Sequence, residues 1–374
     1  MLRYTLVSFI VSLLSVFFIR RYFRRHAQRY SHDAPQRFHH GAIPRLAGPG
    51  IFLGWVSGLV VAVVIDPGLS VQASSMATYG AMCLVILMVV FIGSIEDYSQ
   101  QVSPRWRLTL TAVTACAAIY WLGLTVPKLD VALLDQFWTQ WPVFGVLLAL
   151  LGLIGLTHAF NLIDGYNGLA GFVAVLISLS YAYVSFKLGD RQLFIMSICV
   201  IAATIGFLVM NYPRGLIFAG DGGAYFWGFT LALIGIMLVQ RHPQVSPWYP
   251  LLLLIYPIWE TVFSTYRKLV RGQSPGIADA LHLHQLVYRR VVKSVFHDDE
   301  AKMLLSRNNR TTPYLLVFTT FAIVPATLFW NNTMLLFLAT LIFAALYVVA
   351  YVLIVRSAIL TEVVRFLKRR ALNP

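Results

Sequence analysis

The sequence predicts an all-α, polytopic integral membrane protein of about eleven transmembrane helices, ten if short spans merge, with the N-terminus outside and the C-terminus cytoplasmic. Three observations predict it. Of 374 residues, 59% are hydrophobic and 12% charged, and mean hydropathy is +0.73. A water-soluble domain of this length cannot hide so much apolar surface, so lipid must solvate much of it. Apolar segments of about 20 residues recur along the chain, and the basic residues are unevenly divided between the loops that join them.

Segments near 2–19, 47–66, 75–94, 108–124, 139–157, 168–186, 192–210, 222–240, 248–266, 312–330 and 334–356 meet the length a bilayer core requires. Arg20, Arg21, Arg24 and Arg25 follow the first segment with no small-residue cleavage site before them, so it is expected to be a retained helix. Cys83, Cys116 and Cys199 lie in apolar segments without paired spacing and suggest neither disulfides nor zinc. With no repeat or low-complexity tract, residues 1–374 are expected to form a single transmembrane catalytic domain, with 267–311 as a long cytoplasmic loop.

With eleven spans, the loops near 20–46, 95–107, 158–167, 211–221 and 267–311 share one side with the C-terminal tail. They carry 24 of the 29 Lys and Arg residues. The other side holds Arg3, Lys128, Lys187, Arg191 and Arg241. The basic-rich side is cytoplasmic. Eight of the nine histidines fall there too, only His242 lying outside. Topology explains the cations but not the histidines, which point to chemistry.

The first inner loop contains HHGAIPRLAGPG (39–50). Its glycines let backbone N–H groups approach an anion that Arg45 would clamp; a basic membrane-edge loop is the competing reading. The second loop places Glu96 and Asp97 side by side at the inner end of a span. Carboxylates there cost up to about 2.5–3.5 kcal/mol each at the membrane centre and less at its edge. Their mutual repulsion suggests a compensating cation or shared proton, with Arg105 and Arg107 nearby.

In the third loop His158, Asn161, Asp164 and Asn167 recur every three residues, one face of a helix if the stretch is helical. Their amides and carboxylate suit a base or sugar; polar interhelical packing is the alternative. In the fourth, Gly220, Asp221, Gly222 and Gly223 open a span after Arg214. This fits a phosphate at a helix N-terminus with Asp221 on a divalent cation, or Asp221 as a simple N-cap. In the fifth, His282 and His284 follow Glu260 and a basic stretch. Without a third ligand they suit phosphate or a proton better than zinc.

Taken in order, PRLAG, GSIED, HAFNLIDGYNGLA, GDGG and RGQSP…HLHQ resemble the motifs of the polyprenyl-phosphate N-acetylhexosamine-1-phosphate transferases, the MraY/WecA-like family (glycosyltransferase family 4). The likeness runs from about Pro44 to Arg290, closer to members that initiate O-antigen or exopolysaccharide chains. Glu96 replaces the first Asp of the family's pair, His158 an Asn, Asn167 an Asp, Gln285 a His and Ala47 a Gly.

The resemblance implies transfer of an N-acetylhexosamine-1-phosphate from a UDP-sugar to undecaprenyl phosphate, with UMP released at the cytoplasmic face of a bacterial inner membrane. It implies Mg²⁺, or Mn²⁺ in its place, on Asp221 and Asp97. Asp97, Glu96, Asp164, His282 and His284 would be catalytic, with Asp97 deprotonating or orienting the lipid phosphate. Arg45, Asn161, Asn167, Arg214, Gly220 and Gly222 would bind substrate. The expected partners are UDP-N-acetylhexosamine, undecaprenyl phosphate and membrane lipid, with no nucleic acid; the oligomeric state, a homodimer included, stays open. A transporter for an anionic sugar or lipid-linked precursor is the alternative, and it calls for ionisable groups at mid-membrane. Glu260 alone approaches that.

Overall fold

The computed structural model describes residues 1–29, 43–65, 73–274, 281–292 and 300–372. His39 to Ala42 of the first loop lie outside the described residues. The helices are α1 (Leu2–Phe23), α2 (Gly48–Ile65), α3 (Ala73–Ser99), α4 (Pro104–Leu122), α5 (Ala132–Gln140), α6 (Val143–Ile163), α7 (Leu169–Leu188), α8 (Arg191–Asn211), α9 (Gly220–Arg241), α10 (Trp248–Leu253), α11 (Ile255–Val270), α12 (Leu283–Leu286), α13 (Glu300–Leu328) and α14 (Thr333–Leu372). Among the described residues no strand occurs, and nine helices are long and apolar enough to cross a membrane.

Two of the eleven expected spans fall short of that criterion, each for a visible reason. The segment at 108–124 belongs to α4, which carries Arg105 and Arg107 in its first turn and Thr109, Thr111 and Thr114 beyond; the threonine hydroxyls bond carbonyls one turn back. The segment at 248–266 breaks at Leu254 into α10 and α11. Pro257 has no N–H to give a carbonyl in the preceding turn, so a new helix starts just before it and Pro257 sits in its first turn. At the C-terminus α14 runs for 40 residues, roughly twice what a bilayer core requires.

Helix α9 is the axis of the bundle. Every residue of its apolar window is buried, against 22% for α1 and 17% for α14 at the periphery. Neighbours on α9 approach backbone to backbone because it is rich in glycine: a Cβ on Gly228 would strike the Leu156 carbonyl of α6. On the lipid-facing side α1 is fastened by Ser8 and Ser12, whose hydroxyls donate to the Cys199 and Ala203 carbonyls of α8 at 3.0 and 2.6 Å. Each hydroxyl thus finds an acceptor in a region without water.

The polar groups divide between the two ends. At one end lie Lys128, Asp130, Asp190, Arg241 and His242, joined by ion pairs of 2.6–3.3 Å. At the other end the five loops that carry the sequence motifs meet.

Candidate active site

Asp97, in the last turn of α3, holds this end together. Its Oδ1 accepts the Asp221 amide at 2.8 Å and its Oδ2 the Gly222 amide at 2.9 Å. Both amides belong to the first turn of α9, where Ala219 has no side chain to cap them. A carboxylate placed here satisfies N–H groups that have no intrahelical acceptor and sits at the positive end of the helix dipole. The two donors compensate a side chain left only 6% exposed. Gly220 precedes them with φ +70°, and a Cβ there would fall on the Arg45 carbonyl and the Asp97 carboxylate. The first loop is stitched to the same turn. Ala47 and Gly48 donate to the Phe218 and Ala219 carbonyls, and Phe218 donates back to Pro44 O, at 2.9–3.2 Å.

This geometry revises two expectations and assigns Asp97 a structural task. The amides of Asp221 and Gly222 donate to Asp97 and are not presented to a phosphate. Each Asp97 oxygen accepts one of these amides, so the carboxylate caps α9. Asp221 is not the cap. Its Oδ2 lies 2.6 Å from Arg107 Nη1 and 3.5 Å from the Tyr225 hydroxyl. No hydrogen bond engages its Oδ1 among the described residues, and its side chain is 17% exposed. Glu96, adjacent to Asp97 but turned away around the helix, accepts the Val102 amide at 2.8 Å and closes the turn after α3.

In the third loop the threefold spacing holds only as far as the helix does. His158 and Asn161 lie in the last two turns of α6, and Asp164 follows at its C-terminal cap. The His158 ring packs edge-on against Tyr225, centroids 5.2 Å apart. Burial first, then the Asp221 charge, pushes the Asp164 carboxyl up to about 7, with Arg45 opposing the rise. Asn167 is past the helix and 2% exposed. Its amide donates to Asn308 Oδ1 at 2.7 Å, its Nδ2 to Asn309 Oδ1 at 2.9 Å, and its carbonyl accepts from Thr312 at 2.7 Å. It fastens the third loop to α13 and is not among the residues brought to the opening. Arg214 is exposed at the same end, beside Gly215, whose missing Cβ leaves room for the Asn167 amide.

His282 and His284 stack in parallel, centroids 5.3 Å apart and planes 4° from each other. The His284 Nε2 edge lies 3.5 Å from where a Cβ on Gly165 would stand, which places it next to Asp164. Gln285, where the resemblance has a histidine, accepts the His282 amide at 3.3 Å and so helps to start α12. Arg107 and Glu260, not expected as site residues from the sequence, also belong to the constellation. An acid inside an apolar span already signalled a need for partners; nothing in the spacing linked Arg107 to Asp221.

The carboxylates, imidazoles and arginines at this end suit a polyanionic substrate, and the comparisons with known proteins agree. A sequence model of Glycosyl transferase family 4 matches residues 79–239. A Bacillus subtilis protein, a probable undecaprenyl-phosphate N-acetylglucosaminyl 1-phosphate transferase, is 30% identical over 284 residues, which is 74% of this chain and 75% of that protein. The chain belongs to glycosyl transferase family 4. An Escherichia coli K12 undecaprenyl-phosphate alpha-N-acetylglucosaminyl 1-phosphate transferase is 26% identical over 301 residues, 76% of this chain and 77% of its own. One from Yersinia pestis is 27% identical over 257 residues, 67% of each. The protein is thus a multi-pass membrane transferase. Residues 79–239 of this family 4 transferase include Asp97, Arg107, Asp164 and Asp221; Arg45, Glu260 and the histidine pair lie outside the match.

Proposed function

We propose that this family 4 transferase moves an N-acetylhexosamine-1-phosphate from a UDP-sugar to undecaprenyl phosphate at the cytoplasmic face of a bacterial inner membrane, starting a lipid-linked polysaccharide. The observation that carries the reading is the convergence, at one end of the bundle, of Asp221 beside Arg107 with Asp164 and the histidine pair. The similar proteins named for undecaprenyl-phosphate N-acetylglucosaminyl 1-phosphate transfer support it. In the reaction a phosphate oxygen of the lipid attacks the sugar-bearing phosphorus, the bridge to the second phosphorus breaks, and UMP leaves with the bridging oxygen. A soluble polyanion and a lipid-borne phosphate can meet only at the membrane surface, and both need their charge countered.

The residues fit Mg²⁺. Asp221 offers a hard carboxylate oxygen that no donor among the described residues uses, and burial together with the Asp221 charge raises Asp164. Among the described residues no three His, Cys, Asp or Glu side chains close a cage. Mg²⁺ is typically held in this way, by one or two carboxylates with water and substrate phosphates completing the shell. Bound there, it would screen the two phosphates and stabilise charge on the departing UMP. Arg107 steadies the Asp221 carboxylate, and Asp97 fixes the helix end that presents it. Asp164, half-buried beside Asp221, would face the lipid phosphate and is suited to take or share its proton. Asn161 would bind the sugar or base, and Arg45, Arg214, His282 and His284 phosphate oxygens.

The test is to supply purified protein with undecaprenyl phosphate and a panel of UDP-N-acetylhexosamines, with and without Mg²⁺. UMP should appear only when lipid, one of these donors and the metal are all present. No UMP from any donor would overturn the reading.

A further inference from the structure

Glu260 lies on α11, 0% exposed, within a span that the sequence marks as apolar. A carboxylate in such a place is stable only where donors surround it. Two hydrogen-bond donors and, at ion-pair distance, two imidazoles do so, from two other parts of the chain. Oε1 accepts the Leu283 amide at 2.7 Å and lies 3.3 Å from His282 Nδ1 and 3.6 Å from His284 Nδ1. Oε2 accepts the hydroxyl of Tyr347, on α14, at 2.9 Å. One oxygen atom is therefore addressed by both imidazoles of the pair and by the amide between them.

We propose that Glu260 is the positioning residue of the histidine pair, its charge drawing the Nδ1 edge of both rings inward at ion-pair distance while Tyr347 holds the carboxylate. A buried carboxylate at ion-pair distance favours a proton on the ring edge that faces it, which leaves Nε2 as the outward atom. The parallel stacking follows, since both rings turn the same edge to the same oxygen. So does the direction of His284, whose Nε2 edge abuts the Asp164–Gly165 turn. Glu260 touches no substrate; it acts through the imidazoles. Because Tyr347 belongs to α14, this hydrogen bond ties the C-terminal helix to the histidine pair through a buried carboxylate.

The inference rests on the reading of His282 and His284 as phosphate-handling groups, and the experiment separates the two. In the full-length protein, Glu260→Gln keeps an oxygen acceptor without the charge, and Glu260→Leu removes both. Turnover should fall about tenfold in Glu260→Gln and about a hundredfold in Glu260→Leu, with kcat affected more than KM. Selective ¹⁵N-histidine labelling should show two rings as Nδ1–H in the wild type and, in Glu260→Leu, those two alone redistributed toward Nε2–H. Tyr347→Phe, the mildest change, should give a smaller loss in the same direction. The proposal is overturned by an unchanged histidine spectrum, or by losses of activity that merely follow the melting temperature through Glu260→Gln and Tyr347→Phe. His282→Ala and His284→Ala provide the reference. Full activity in both would sink the role of the pair itself and the proposal with it. Inactive alanine variants beside fully active Glu260 variants would sink only the positioning role.

Discussion

Replacing Asp97 with asparagine should damage the fold before it damages the chemistry. Each Asp97 oxygen accepts one amide of the α9 first turn. Asparagine can match one of them; its NH₂ then faces the other amide, donor against donor. A hydrogen bond to a charged group contributes about 1.5–3 kcal/mol, and an anion at a helix N-terminus about 0.3–1 kcal/mol more. The expected loss is about 2–4 kcal/mol, placed where α2, α3 and α9 join. Asp221→Asn is the matched control, because it keeps a side-chain oxygen for Arg107 and leaves both α9 amides on Asp97. Thermal unfolding of the detergent-solubilised variants, followed by tryptophan fluorescence, should show Asp97→Asn clearly destabilised and Asp221→Asn near the wild type. Equal melting temperatures would refute the assignment of Asp97 as the cap of α9.

Three further outcomes are expected. With Asp164 raised to about 7 in the fold against about 3.9 unfolded, the folded chain holds the extra proton between those values. Stability should therefore decline as pH rises through that window. In metal-free buffer Asp164→Asn should melt above the wild type at about pH 8 and match it near pH 4; parallel curves would remove Asp164 from this role. Asn308→Ala strands the buried Asn167 amide and should cost about 1–3 kcal/mol in a chemical-denaturation series, while no change would mean that the third loop is held otherwise. Cysteines placed at Arg214 and Lys128 should label from opposite membrane faces, Arg214 from the cytoplasm; periplasmic labelling of Arg214 would invert the topology and with it access to a cytosolic UDP-sugar.

The helices were legible because bilayer-length apolar runs leave little choice, and the motif loops because alternate connections must return to one face. The break before Pro257 was also written locally, in a residue that cannot donate to the previous turn. What the sequence did not reveal is pairing at a distance. Asp97 and Asp221 each looked like a ligand, and only the folded chain shows that one carboxylate caps the helix that presents the other. Asn167 continued a helical spacing on paper, but α6 ends at Ile163, and past that point its amide meets α13 instead. Glu260 stood out as a misplaced acid, the one feature that favoured a transporter. Its donors come from the fifth loop and from α14, whose closeness no local pattern encodes.

Whether Asp221 is the metal-binding carboxylate of a sugar-phosphate transfer site is decided by one titration. UMP released per lipid-linked diphospho-sugar formed should be measured against Mg²⁺ concentration for the wild type and Asp221→Asn. The wild type should give one UMP per lipid product. The variant should fold and melt normally yet lose nearly all turnover, recovering part of it at high Mg²⁺ or Mn²⁺. Full turnover in Asp221→Asn at an unchanged Mg²⁺ dependence would contradict the account.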